Sequence, residues 1–235
     1  MKLCRSLFLS IILLGFSFQS FAQEKSVTYE LKKGEVFDIL LLTTKTDSKV
    51  TFKEYREKAF PVAVEMGYSF LPGFKIAETT QGNYQPEGIV FGKWESLAKR
   101  EKFLTEIDAR VPDFHAMRKK IWSLFDVTYY EVQKDISFEL NLNKVIVATA
   151  YWKHDDEQSD FDNFITQWKK DLEKTGGALK AELTNGYSPF GYYYKPDYLV
   201  ISQWESREGF EKFLKQNLER NTKGLKNVSQ YILSK

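Results

Sequence analysis

From Val36 to Thr44 the chain is apolar at both sets of alternate positions, the pattern of a strand covered on both faces. Phe52, Tyr55, Ala59, Val62, Ala63 and Met66 then recur at helical spacing, giving a helix with one apolar face. Asp47 or Ser48 can cap its start, Pro61 is expected to kink it, and Gly67 ends it. Leu71 to Thr80 reads as a second strand, and Gly82-Asn83 with Pro86 marks a turn before a third, Gly88 to Trp94. Ser96 caps a helix with Leu97, Phe103, Leu104 and Ile107 inward. Pro112 restarts a helical piece through Ile121, and Phe125 to Val132 closes the series as a Tyr-rich strand.

The same order returns in the second half. Lys144 to Trp152 is a strand, and Phe161, Phe164, Ile165, Trp168 and Leu172 make the cleanest amphipathic helix, stopped by Gly176-Gly177. Strands Ala178 to Leu183 and Tyr198 to Trp204 flank a loop containing Asn185-Gly186, Pro189, Gly191 and Pro196, and a helix from Ser206 precedes the strand Val228 to Leu233. Trp94-Glu95-Ser96 recurs as Trp204-Glu205-Ser206 and Glu101-Lys102-Phe103-Leu104 as Glu211-Lys212-Phe213-Leu214, both at an offset of 110 positions. Identities in one register, with matching pattern types around them, mark a duplicated supersecondary unit. Each copy is βαββαβ, a ferredoxin-like split βαβ with four antiparallel strands and both helices on one face. The other sheet face needs a cover, and two copies in one chain supply it. The expected fold class is therefore α+β, two ferredoxin-like repeats packed sheet against sheet as an intramolecular pseudo-dimer. The boundaries are 1–22 for a leader, 23–134 for the first repeat and 135–235 for the second, with Lys134 to Asn143 as the link.

The leader sets the compartment. Lys2 and Arg5 precede the apolar run Leu7 to Phe18, and Ser20-Phe21-Ala22 has small residues where a signal peptidase reads, so cleavage is expected after Ala22. No later stretch approaches the roughly 20 apolar residues of a membrane span, which predicts a soluble protein, periplasmic or extracellular. The only cysteine, Cys4, lies in that leader, so the mature chain offers no disulfide, thiolate metal site or cysteine nucleophile. Of 34 basic and 32 acidic side chains, removing Lys2 and Arg5 leaves an even balance. With Lys and Arg mixed among Glu, as in Lys53-Glu54-Tyr55-Arg56-Glu57-Lys58, nucleic acid is excluded as a partner.

The run Phe52 to Lys58, then Pro61 and Gly67, then Trp94-Glu95-Ser96 with Phe103-Leu104 and Pro112-Asp113-Phe114, resembles the antibiotic-biosynthesis-monooxygenase branch of the dimeric α/β-barrel superfamily. The resemblance spans about 100 residues of the first copy and, more loosely, the second. It implies a barrel made by the two repeats. For function it is open, because relatives include cofactor-independent oxygenases of aromatic substrates, haem-degrading enzymes, tandem haem enzymes and members without known activity. Where haem-degrading relatives place an axial histidine this chain has Arg118, with His115 one helical turn away.

Candidate residues are aromatic and few. Trp94 shares a strand face with Gly92, and Trp204 with Ser202, so a small residue beside each indole leaves room for a ligand or for a closely packed helix. Tyr193, with Tyr187, Tyr192 and Tyr194, sits in the longest turn-rich loop as a lid or stacking surface. His154 follows the first strand of the second copy beside Asp155, Asp156 and Glu157. Two histidines without cysteine give no tetrahedral metal spacing, and the acidic run lacks the glycine and spacing of a calcium loop. No nucleophile-base pair or phosphate loop occurs. The ligand set is thus Trp94, Trp204, Tyr193, His154 and His115, with no metal and no cofactor expected. The protein reads as an exported binder of a small apolar or aromatic molecule. The alternative is a cofactor-independent monooxygenase acting on a phenol or quinol, with haem binding third, and an oligomer beyond the pseudo-dimer is left open.

Overall fold

The computed structural model describes residues 25–189 and 191–235, so the expected leader and Cys4 lie outside the described residues. The elements in chain order are β1 (Ser26–Leu31), β2 (Val36–Thr44), α1 (Lys49–Glu65), β3 (Tyr68–Gln81), β4 (Gly88–Trp94), α2 (Leu97–Arg110), α3 (Phe114–Ile121) and β5 (Trp122–Glu131). There follow β6 (Ile136–Asn141), β7 (Val145–Lys153), α4 (Gln158–Lys174), β8 (Gly177–Thr184), β9 (Tyr198–Trp204), α5 (Arg207–Leu218) and β10 (Leu225–Ser234). α1 runs on through Pro61 to Glu65, and Ser96 and Ser206 each cap a helix by accepting a backbone N–H three residues on.

Eight strands form one sheet in the order β5-β2-β4-β3-β10-β7-β9-β8, so each repeat contributes last, first, third and second strand in the same arrangement. The repeats join where β10 runs antiparallel to β3, Leu233 opposite Ile76. The two outer edges meet through a bridge in which Tyr129 of β5 and Tyr187, just past β8, exchange N–H···O bonds of 2.8 Å. The sheet thereby curls into a barrel. Phe37, Ile39, Leu41, Phe74, Ile89 and Phe91 of the first repeat share its interior with Ile146, Ala148, Leu199, Ile201, Tyr231 and Leu233 of the second. The alternate strand positions face outward, where α1 to α3 cover one half and α4 and α5 the other.

One pair of strands was not expected. β6 lies inside Lys134 to Asn143, read from sequence as a link, and pairs antiparallel with β1 as a separate two-stranded sheet. Its cause is a period-two pattern: Val27, Tyr29 and Leu31 with Phe138 and Leu140 turn one apolar face onto the barrel interior. Tyr29 stacks on Phe138 at 4.8 Å, meets Phe91 edge-on at 5.6 Å, and donates to the Pro72 carbonyl at 2.7 Å.

Candidate functional site

Because the repeats share a scaffold, each serves as a reference for the other. α1 and α4 are both 17 residues long and follow equivalent strands, which sets Tyr55 against Phe164, Ala59 against Trp168 and Ala63 against Leu172. Val36 faces Trp94 as Val145 faces Trp204, so Asp38 corresponds to Val147. Arg100 and Phe210 each stand four residues past the capping serine. At the equivalent place the second repeat is thus filled by large apolar side chains, with Trp168, Leu172, Phe210 and Phe213 buried together. In the first repeat two alanines replace the tryptophan and the leucine, and an acid and a base replace valine and phenylalanine.

The result is a cavity of about 280 Å³ between α1, α2, α3 and the outward face of β2, β4 and β5. It is lined mainly by apolar and aromatic side chains, among them Phe52, Tyr55, Tyr68, Phe103, Trp122 and Phe125, with Asp38, Arg100 and Arg118 as its charged members. Phe70, which is 49% exposed and packs on Phe60 at 4.6 Å, stands at its rim.

Asp38 and Arg100 are each only 4% exposed. Arg100 Nε donates to Asp38 Oδ1 at 3.0 Å, and Trp94 Nε1 donates to Oδ2 at 3.0 Å. The guanidinium lies 5.4 Å from the Trp94 ring and 5.0 Å from that of Tyr129, both within cation–π range. Its Nη1 is buried without a partner among the described residues. Burial pushes the Asp38 carboxyl above the usual carboxylate range; Arg100, the Trp94 N–H and Arg118 pull the other way and only partly offset it. Tyr68 lies across Gly92, where any side chain would collide with its phenol, and burial holds that phenol well above its ordinary range.

Arg118 comes from α3, which has no counterpart among the described residues of the second repeat. Its guanidinium sits over Phe114 at 4.0 Å and Phe125 at 4.3 Å. Nε donates to the Tyr55 hydroxyl at 3.1 Å and Nη1 to that of Tyr192 at 3.4 Å. Tyr192 belongs to the β8–β9 loop of the other repeat, which is tied down by Ser188 Oγ donating to the Val127 carbonyl at 2.9 Å and by Thr128 Oγ1 donating to the Tyr194 carbonyl. One repeat therefore covers the cavity of the other.

Of the residues singled out from sequence, Trp94 lines this cavity. Trp204 is buried in the filled core of the second repeat, against Phe210 and Phe213. Tyr193, 88% exposed, points away into solvent. His154 is exposed at the end of β7, and His115 lies on the exposed side of α3 with Nε2 3.2 Å from Asp108 Oδ1. The structure does not bring these five together. Both tryptophans are buried, so Trp94→Ala and Trp204→Ala should each lose about 3–5 kcal/mol of stability. Urea unfolding checks this, and a loss below about 1 kcal/mol at either position would count against it.

Sequence reasoning passed over Asp38, Arg100, Ala59 and Ala63. A signal existed for each: a carboxylate inside an apolar strand, an arginine in helical register with Phe103 and Ile107, and two alanines opposite Trp168 and Leu172 in the aligned repeat. Among the described residues no helix is long and apolar enough to cross a membrane, and no group of three or more His, Cys, Asp or Glu could hold a metal ion.

Haem, which the sequence resemblance raised, does not fit the donor set. Iron needs an imidazole, thiolate, thioether or phenolate. The lining includes no histidine, cysteine or methionine, Arg118 cannot ligate, and the phenols present are Tyr55, which accepts from Arg118, and Tyr68, held protonated by burial.

No family model matches the chain, and no curated protein sequence matches it. Solved structures do. An anthrone oxidase-like protein superposes with a TM-score of 0.51 at 14% identity, over 88% of this chain and 94% of that one. A chlorite dismutase variant from Candidatus Nitrospira defluvii superposes with a TM-score of 0.51 at 9% identity, over 87% and 93%. At such identities the likeness is one of fold. The protein is a dimeric α/β-barrel made within one chain by tandem duplication.

Proposed function

We propose that this is an exported small-molecule-binding protein that holds an apolar or aromatic ligand in the cavity of its first repeat. Export rests on the leader pattern at residues 1–22. Binding rests on the asymmetry of the repeats: one scaffold carries Trp168 and Leu172 where the other carries Ala59 and Ala63. Close packing is the ordinary state of a protein interior, so a cavity nearly twice the roughly 150 Å³ that accepts benzene points to an occupant. Its aromatic lining with a few polar groups is the usual make-up of a ligand pocket. The test restores the leucine of the second repeat. Ala63→Leu should keep the melting temperature within a few degrees and lose the small aromatic molecules that the wild type retains from a metabolite extract, read by mass spectrometry. Retention of the same molecules by both proteins would reject the cavity as the site.

A second reading is a cofactor-independent oxygenase acting on a phenol or quinol, favoured by Asp38, a carboxyl of raised proton affinity at the cavity and hence a candidate proton acceptor. One structural neighbour is described as anthrone oxidase-like. Anthrone and dioxygen give anthraquinone and water, so oxygen uptake above the protein-free rate that disappears in Asp38→Asn would move the protein from binder to enzyme.

A further inference from the structure

Resting on the reading that the first-repeat cavity holds an aromatic molecule, we infer that its ligand is a singly charged aromatic anion whose negative oxygen meets the Arg100 guanidinium. Three ionisable side chains of fixed or paired charge line the cavity: Asp38, Arg100 and Arg118. Each Asp38 oxygen already accepts a bond, from Arg100 Nε and from Trp94 Nε1. Arg118 hydrogen-bonds only tyrosine hydroxyls and makes no ion pair among the described residues. Two guanidiniums against one carboxyl leave at least one positive charge in excess, in surroundings where charge is poorly screened.

Arg100 gives the direction. Its guanidinium is paired at Nε with Asp38, and its Nη1 is a buried donor without a partner among the described residues. Buried donors are nearly always satisfied, so a guanidinium at the cavity wall with an unsatisfied donor has hydrogen-bonding capacity left for an acceptor of the occupant. A neutral apolar ligand would leave that donor dry, and a cation would add to the excess. A monoanion settles both, through a charge-assisted hydrogen bond to Arg100 and the field of Arg118. At the corresponding place in the second repeat Val147 and Phe210 remove the charge, and Trp168 and Leu172 fill the space.

Carboxylates and ionised phenols share this chemistry. Binding to the full-length protein would be followed by tryptophan fluorescence or calorimetry with 1-naphthoate against the neutral 1-naphthamide, and with 4-nitrophenol above and below its own ionisation. Naphthalene is the uncharged control. The expected result is at least a tenfold preference for the anion in one of the two pairs, reduced in Arg118→Gln and abolished in Asp38→Val/Arg100→Phe, which still binds naphthalene. No preference in either pair, with naphthalene bound, would overturn the inference and leave the cavity reading standing. A preference that survives in both variants would place the anion elsewhere and overturn it as well. Binding of no probe at all would remove both readings.

Discussion

Asp38→Ala should destabilise the protein by about 3–5 kcal/mol, the usual cost of removing one partner of a buried ion pair. The loss comes from Arg100, which is 4% exposed, cannot give up its proton, and would keep a charge with no carboxylate to meet it. The reverse change should cost less. In Arg100→Met the stem volume is largely kept, and Asp38 can become neutral, as its raised proton affinity already favours. Replacing both, Asp38→Val with Arg100→Phe, installs the residues of the second repeat at Val147 and Phe210. Well-packed apolar replacements of buried pairs are commonly neutral or stabilising, so the double variant should match the wild type within about 1 kcal/mol or exceed it. The pH dependence has a definite sign. A carboxyl whose folded-state affinity for protons is raised contributes stability that is full below its unfolded range and is lost as pH rises through the folded value. Relative to the double variant, the wild type should therefore lose stability as pH climbs above the ordinary carboxylate range. Urea unfolding of the four proteins across pH measures all of this; equal losses for Asp38→Ala and the double variant would show that the pair is not the source.

The fold was legible because the duplication writes the same pattern twice. β4 and β9 have the bounds read from Gly88 to Trp94 and Tyr198 to Trp204, since turn residues punctuate both ends. β1 and β6 escaped because six-residue alternations such as Ser26–Leu31 and Ile136–Asn141 are too short to stand out, and β6 lay where a connection was needed. The cavity was less legible than the fold for a different reason. An alanine on an apolar helix face looks the same whether a neighbour fills the space above it or not. Only setting Ala59 and Ala63 against Trp168 and Leu172 distinguishes the cases. Arg118 was noticed as a residue that cannot bind iron, yet its environment depends on Tyr192, which arrives from the other repeat through barrel closure and leaves no local trace.

The first repeat alone, residues 23–134, should not persist as a folded monomer. In the whole chain β3 is paired along Lys75 to Gln81 with β10, and β1 is paired with β6; both partners lie in the missing half. The inward side chains Phe37, Ile39, Leu41, Phe74, Ile89 and Phe91 would lose the second-repeat residues they pack against. Each such side chain gains about 1.5–3 kcal/mol from full burial. Exposing even part of six of them is comparable with the whole 5–15 kcal/mol that holds an ordinary domain. The fragment has one way to recover this surface, which is to pair with another copy of itself through the face that β10 occupies. Size-exclusion chromatography with light scattering should therefore find a dimer or aggregate whose thermal transition weakens on dilution. A fragment that is monomeric and melts with the full-length chain would show instead that the repeats are independent folding units, and that barrel closure is not what stabilises them.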